Sequence, residues 1–167
     1  MIRRQLLAVA LAAPCAAIGA AEALSNIDVL LLQPEAQLRE RVDGDALSRH
    51  VLALQDAARH ALEAQFARRP NAGFLVVGLR PGHAPRAWLD LDQPLPDAAA
   101  QALRGALEGV KPPAVRGTVI VALKASLWGG RVSPRKAPVP AQWRAAAARS
   151  ADKLEIDQLA DMAWSDE

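Results

Sequence analysis

Two carboxylates and three imidazoles are the side chains of this 167-residue chain best suited to chemistry. Asp90 and Asp92 stand two apart. On a strand they point the same way at about 7 Å, a spacing that suits acid–base hydrolysis or a hard cation. His50 and His60 are ten residues apart on one predicted helix, about 280° apart in projection, and share no face. His60 follows Asp56 by four residues and reads as half of a solvated pair. His83 lies in a loop, Arg80 to Pro85, rich in turn formers. A small hydrolase or metal-dependent enzyme would therefore rest on Asp90, Asp92 and His83. No glycine-rich phosphate loop, HExxH, GxSxG or Cys/His cluster accompanies them. The competing role for Asp90 and Asp92 is the solvated face of an edge strand, where charge discourages aggregation. We expect no catalytic, cofactor-binding or metal-binding residue, and no cofactor.

Composition narrows the class. Hydrophobic residues make up 51% of the chain, but 37 of them are Ala, and two Phe, four Trp and no Tyr remain as bulk. Residues 1–23 have the parts of a secretory signal peptide: Arg3 and Arg4, an Ala/Leu run, and Ala21-Glu22-Ala23 as a small-x-small cleavage site. Arg3-Arg4-Gln5-Leu6-Leu7 also fits a twin-arginine signal in part. The expected destination is the periplasm. Removal of residues 1–23 takes away Arg3, Arg4 and Glu22, so the net charge of +2 becomes +1, and Cys15, the single cysteine, is lost. A near-neutral mature chain excludes a nucleic-acid reading of the high pI. Residues 131–149 hold five basic and no acidic residues, and residues 150–167 hold six acidic residues and Lys153, so the two blocks attract each other or a partner.

The elements that would position these groups follow from periodicity. Residues 24–44 form an N-terminal extension, with a short apolar run at Ile27 to Leu32 and a helix from about Pro34 to Val42. Apolar positions Leu47, Val51, Leu54, Ala58, Leu62 and Phe66 predict a long amphipathic helix capped by Asp45 and stopped before Pro70. Phe74 to Leu79, apolar on both faces, predicts a central strand, and Arg86 to Asp92 predicts a half-buried edge strand paired to it. A second helix runs from Pro96 to Val110 and ends at Lys111-Pro112-Pro113. Thr118 to Lys124 is the third strand. The fold class is α+β: helix-strand-strand-helix-strand over residues 45–130, a three-stranded antiparallel sheet with helices on one face. Residues 131–140 read as a Pro-rich basic linker and residues 141–167 as a helical, acidic-ended tail.

This order, with a second helix ended by Lys111-Pro112-Pro113 and followed by a last strand, resembles the C-terminal periplasmic domain of the TonB and TolA energy-transducer families over about residues 45–130. The resemblance implies that the first hairpin strand is central, the last strand lies beside it, and the helices pack on one face. It also implies an envelope-protein partner. The families' transducers keep a membrane anchor and a long spacer; here about 21 residues follow the apolar segment, at most about 70 Å when extended. An inner-membrane-anchored energy-transducer component is therefore the alternative to a free periplasmic protein-binding module.

In such a module the last strand would be an open edge able to accept an extended partner segment by β-strand addition. The residues expected to bind the partner are Thr118, Ile120, Ala122 and Lys124 on that strand, with Trp128 beyond it.

Overall fold

Nine consecutive buried residues, Asn71–Leu79, set the architecture. The computed structural model describes residues 21–164; most of the segment expected to be a signal peptide and the last three residues lie outside the described residues. The elements are β1 (Leu24–Leu31), α1 (Glu35–Arg41), α2 (Gly44–Glu63), β2 (Asn71–Leu79), β3 (Arg86–Leu91), α3 (Asp97–Glu108), β4 (Val119–Leu127), α4 (Ala141–Ala148) and α5 (Ile156–Trp164). The strands form one antiparallel sheet in the order β1-β4-β2-β3.

Strand alternation sends Leu75, Val77 and Leu79 of β2 to one face and Phe74 and Val76 to the other. β4 does the same, with Val119, Val121 and Leu123 on the first face and Ile120 and Ala122 on the second. A sheet apolar on both sides needs cover on both. On the first face α2 supplies Leu47, Val51, Leu54, Ala58 and Leu62, and α3 supplies Leu103 and Leu107. On the second, α4 supplies Trp143 and Ala146, and α5 supplies Ala160 and Ala163. The expectation of helices on one face is thus corrected: residues 141–164 are the second helical layer, not a tail.

The three-stranded sheet is corrected too. Residues 24–31, read as part of an extension, form β1 against β4, with Val29 opposite Leu123 and Leu31 opposite Val121. A bulge at Asn26, with φ 49°, interrupts the register.

α2 is capped by Asp43 rather than Asp45: the Asp43 carboxylate accepts the Ala46 N–H at 2.8 Å. It ends at Glu63, which leaves Phe66 fully exposed beyond the stripe. Its last carbonyls have other partners. Leu62 accepts the Trp128 indole N–H at 3.3 Å, and the Arg68 guanidinium caps Glu63 and Gln65.

Charge fixes the second layer as well. Arg41 pairs with Asp157 at 3.1 Å and Arg80 with Asp161 at 3.4 Å, so these two carboxylates of the acidic block are held by α1 and the end of β2. Trp88 meets Trp143 and Trp164 edge-on, each with ring centroids 5.6 Å apart. Gly78 makes room for this cluster: a Cβ there would lie 2.7 Å from Trp164 and 2.9 Å from Trp88. Gly78→Val should therefore lower stability by about 1–3 kcal/mol and expose α5 to protease. In contrast, Gly105→Ala, with open space at the Cβ in mid-helix, should raise it by up to about 1 kcal/mol. Urea midpoints and limited proteolysis of the two variants check both.

Candidate functional site

The residues expected at an open edge lie inside the structure. β4 has β1 on one side and β2 on the other. Ile120 and Ala122 are fully buried beneath α4 and α5, and Trp128 is buried by the end of α2. Lys124 is half-buried; its Nζ donates to the Arg135 carbonyl at 2.8 Å and lies over the Phe74 ring. Thr118, just before β4, donates its hydroxyl to Asp161 at 3.1 Å, and its carbonyl accepts from Gln33 and Arg41. Where β1 has ended, the Gln33 side chain takes over and accepts the Ile120 N–H at 2.8 Å. Strand addition at β4 is thereby corrected, because the chain's own first strand occupies that edge.

Asp90, Asp92 and His83 do not assemble. Asp90 pairs with Arg135 at 2.7 Å and accepts the Val139 N–H at 2.7 Å. Asp92 pairs with Arg135 at 3.0 Å and accepts the Ser133 hydroxyl at 2.9 Å. The same guanidinium caps the Asp90 carbonyl at 2.6 Å and stacks on Phe74 at 5.2 Å. Gly73, at φ 145°, lets this happen, since a Cβ there would lie 2.5 Å from the Asp90 carbonyl. The carboxylate pair is a clasp that fastens residues 133–139 to β3, so the segment read as a linker is held down. His83 is exposed in the loop before β3, with Nδ1 on its own loop's Pro81 carbonyl at 2.9 Å. Among the described residues no group of three His, Cys, Asp or Glu is placed to hold a metal ion.

His60 bonds the Asp56 main-chain carbonyl, while the Asp56 carboxylate pairs with Arg59. His50 is different. It is buried on α2, and its Nδ1 donates to the Lys111 carbonyl at 3.1 Å, while Nε2 has no partner among the described residues. Burial pushes its pKa below the ordinary 6.5, against the smaller opposing effect of the Lys111 carbonyl.

Among the described residues two strand edges remain open. β1 has no described strand on its outer side, and its Val29 and Leu31 are 43% and 48% exposed. The outer side of β3 lies in a groove between α3 and α4, lined by Leu89, Leu91, Leu95, Arg104 and Arg144. No protein-family model, curated protein or solved structure matches the chain. The functional reading therefore stands on these edges. Sequence periodicity missed both features. Residues 27–32 are too short a run to type, and the groove joins helices that meet only in the fold.

Two measurements check the local chemistry. Arg135→Met should cost about 1–3 kcal/mol, less than a fully buried pair because the guanidinium is 35% exposed, and should open residues 131–140 to protease. For His50 the folded state binds fewer protons than the unfolded state between its lowered pKa and 6.5. Its contribution is therefore complete above 6.5 and is lost as pH falls through the folded pKa. Urea midpoints at pH 7.5 and 5 should fall further for the wild type than for His50→Gln.

Proposed function

We propose that this chain is a non-enzymatic, periplasmic protein-binding module that takes an extended segment of an envelope protein onto the outer edge of β1. The observation that carries the reading is the state of that edge. Natural edges are blunted by charge, proline, bulges or a covering element. β1 is eight residues long and exposes Val29 and Leu31, with Asp28 as its one charge and the bulge at Asn26 as its one irregularity. Its backbone can supply the hydrogen bonds of strand addition, and its exposed apolar side chains can supply the contacts.

The neighbouring order β4-β2-β3, with α2 and α3 on one face, supports the TonB/TolA resemblance in this part of the chain. The transducer alternative is weaker. Residues 24–44, counted as a possible spacer, are taken up by β1, α1 and the turn into α2, and little length remains to cross an envelope. Export with cleavage suits the N-terminal segment better. The site of the cut is informative: the Ala23 carbonyl accepts the Trp128 N–H at 3.2 Å, and Leu24 is fully buried. Cleavage after Ala23 would lose that bond and place an ammonium on a buried residue, which is costly. Gly19-Ala20-Ala21 is also small-x-small, and cleavage after Ala21 keeps both.

The exported protein should therefore have the intact mass of a chain beginning at Glu22. Photo-cross-linkers at Val29 and Leu31 should give discrete protein adducts in the envelope, and one at exposed Leu52 on α2 should not. A retained precursor mass, or the same pattern at all three positions, contradicts the proposal.

A further inference from the structure

The β3 edge offers a site of a different kind, independent of β1. Its outer side forms the floor of a groove between α3 on one face of the sheet and α4 on the other. A cavity of about 320 Å³ lined by Leu89, Leu91, Leu95, Ala100, Arg104 and Arg144 continues past Ala87 into one of about 110 Å³ that shares Arg104. Two hydrogen bonds fix the backbone directions. Asp92 donates its N–H to the Ala72 carbonyl at 2.7 Å, so the even-numbered residues of β3 face β2. Ala87 donates its N–H to the Glu108 carboxylate at 2.9 Å, so Ala87, Leu89 and Leu91 turn their N–H and C=O groups toward the groove. Glu108 thus stands where the first acceptor of an added strand would be.

Charged side chains border the groove. Arg104 and Arg144 line it, with Glu108 and Asp90. Asp90 is engaged by Arg135 and the Val139 N–H, and Glu108 by Ala87. Arg144 uses one N–H on the Val139 carbonyl at 2.7 Å and is otherwise exposed. Arg104, half-buried on α3, faces it across the opening. The two guanidinium groups thus border an apolar floor of Leu89, Leu91 and Leu95.

We propose that this groove binds an extended, acidic peptide segment of another protein. The segment adds to β3 through the N–H and C=O groups of Leu89 and Leu91 and seats an apolar side chain against Leu89, Leu91 and Leu95. It places a carboxylate between Arg104 and Arg144, where charge-assisted bonds hold it.

The test is a titration of the isotopically labelled protein with the acetylated, amidated peptide (Val-Glu)₃, followed by NMR. Amide shifts should concentrate at Leu89, Leu91 and Leu95. (Val-Lys)₃ should bind roughly tenfold or more weakly, and Arg104→Gln and Arg144→Gln should each weaken (Val-Glu)₃ by about tenfold, the loss of one charge-assisted bond, with unchanged thermal melting. Alternate N-methylation of the peptide should abolish binding, because it removes the strand's donors. The proposal is overturned if (Val-Lys)₃ or a six-nucleotide oligothymidine binds as well as (Val-Glu)₃. It is also overturned if the shifts fall on β1 instead, or if millimolar peptide moves none of the groove amides.

Discussion

A strand that exposes nothing on either face cannot end a structure; it must be enclosed. β2 is such a strand, and β4 beside it nearly so. Burying Phe74, Val76, Ile120 and Ala122 requires a second helical layer. A fully buried side chain of the size of Val, Leu or Phe contributes about 1.5–3 kcal/mol, and no solvated sheet face would forgo several of these together. The return of the chain over the second face is therefore a condition of the sheet. The electrostatic contacts follow from that return. Arg135 is held by Asp90 and Asp92 where the chain returns over the second face beside β3, and Asp157 and Asp161 are held by Arg41 and Arg80 where α5 settles.

This enclosure also decides which backbone is left over. β4 is covered on one side by β1 and on the other by β2, which moves the open edges outward to β1 and β3. They differ in character. β1 is long and apolar, with no helix among the described residues seated along its outer side, and suits a broad strand-to-strand contact. β3 is short and recessed, with one N–H already met by Glu108 and arginines at its margins, and suits selection by side chain. On the proposed readings, one fold presents two surfaces of different selectivity.

Much of the first layer was legible in the residues. The 4,3,4,4 spacing from Leu47 to Leu62 is a helical stripe, and the strands at Phe74, Arg86 and Val119 were each placed within a few residues of their observed ends. The second layer was hard to read for a physical reason. α4 and α5 pack through Ala146, Ala160 and Ala163, whose small side chains allow close approach but give a weak apolar pattern. The bulk on that face comes from Trp88, Trp143 and Trp164. The need for cover was nonetheless written in Phe74 to Leu79, whose two apolar faces are incompatible with helices on one side alone. Asp90 and Asp92 had the spacing of a catalytic pair. Only the fold reveals that Arg135, more than 40 residues away, engages both carboxylates.

Amide hydrogen exchange, resolved by residue, tests the enclosure most directly. An interior strand bonds on both sides and protects consecutive amides, whereas an edge strand protects alternate ones. The account predicts consecutive slow amides along Val119–Leu127, as along Asn71–Leu79, and alternating protection in β1 and β3. Alternating protection in β4, with fast exchange throughout residues 24–31, would contradict it.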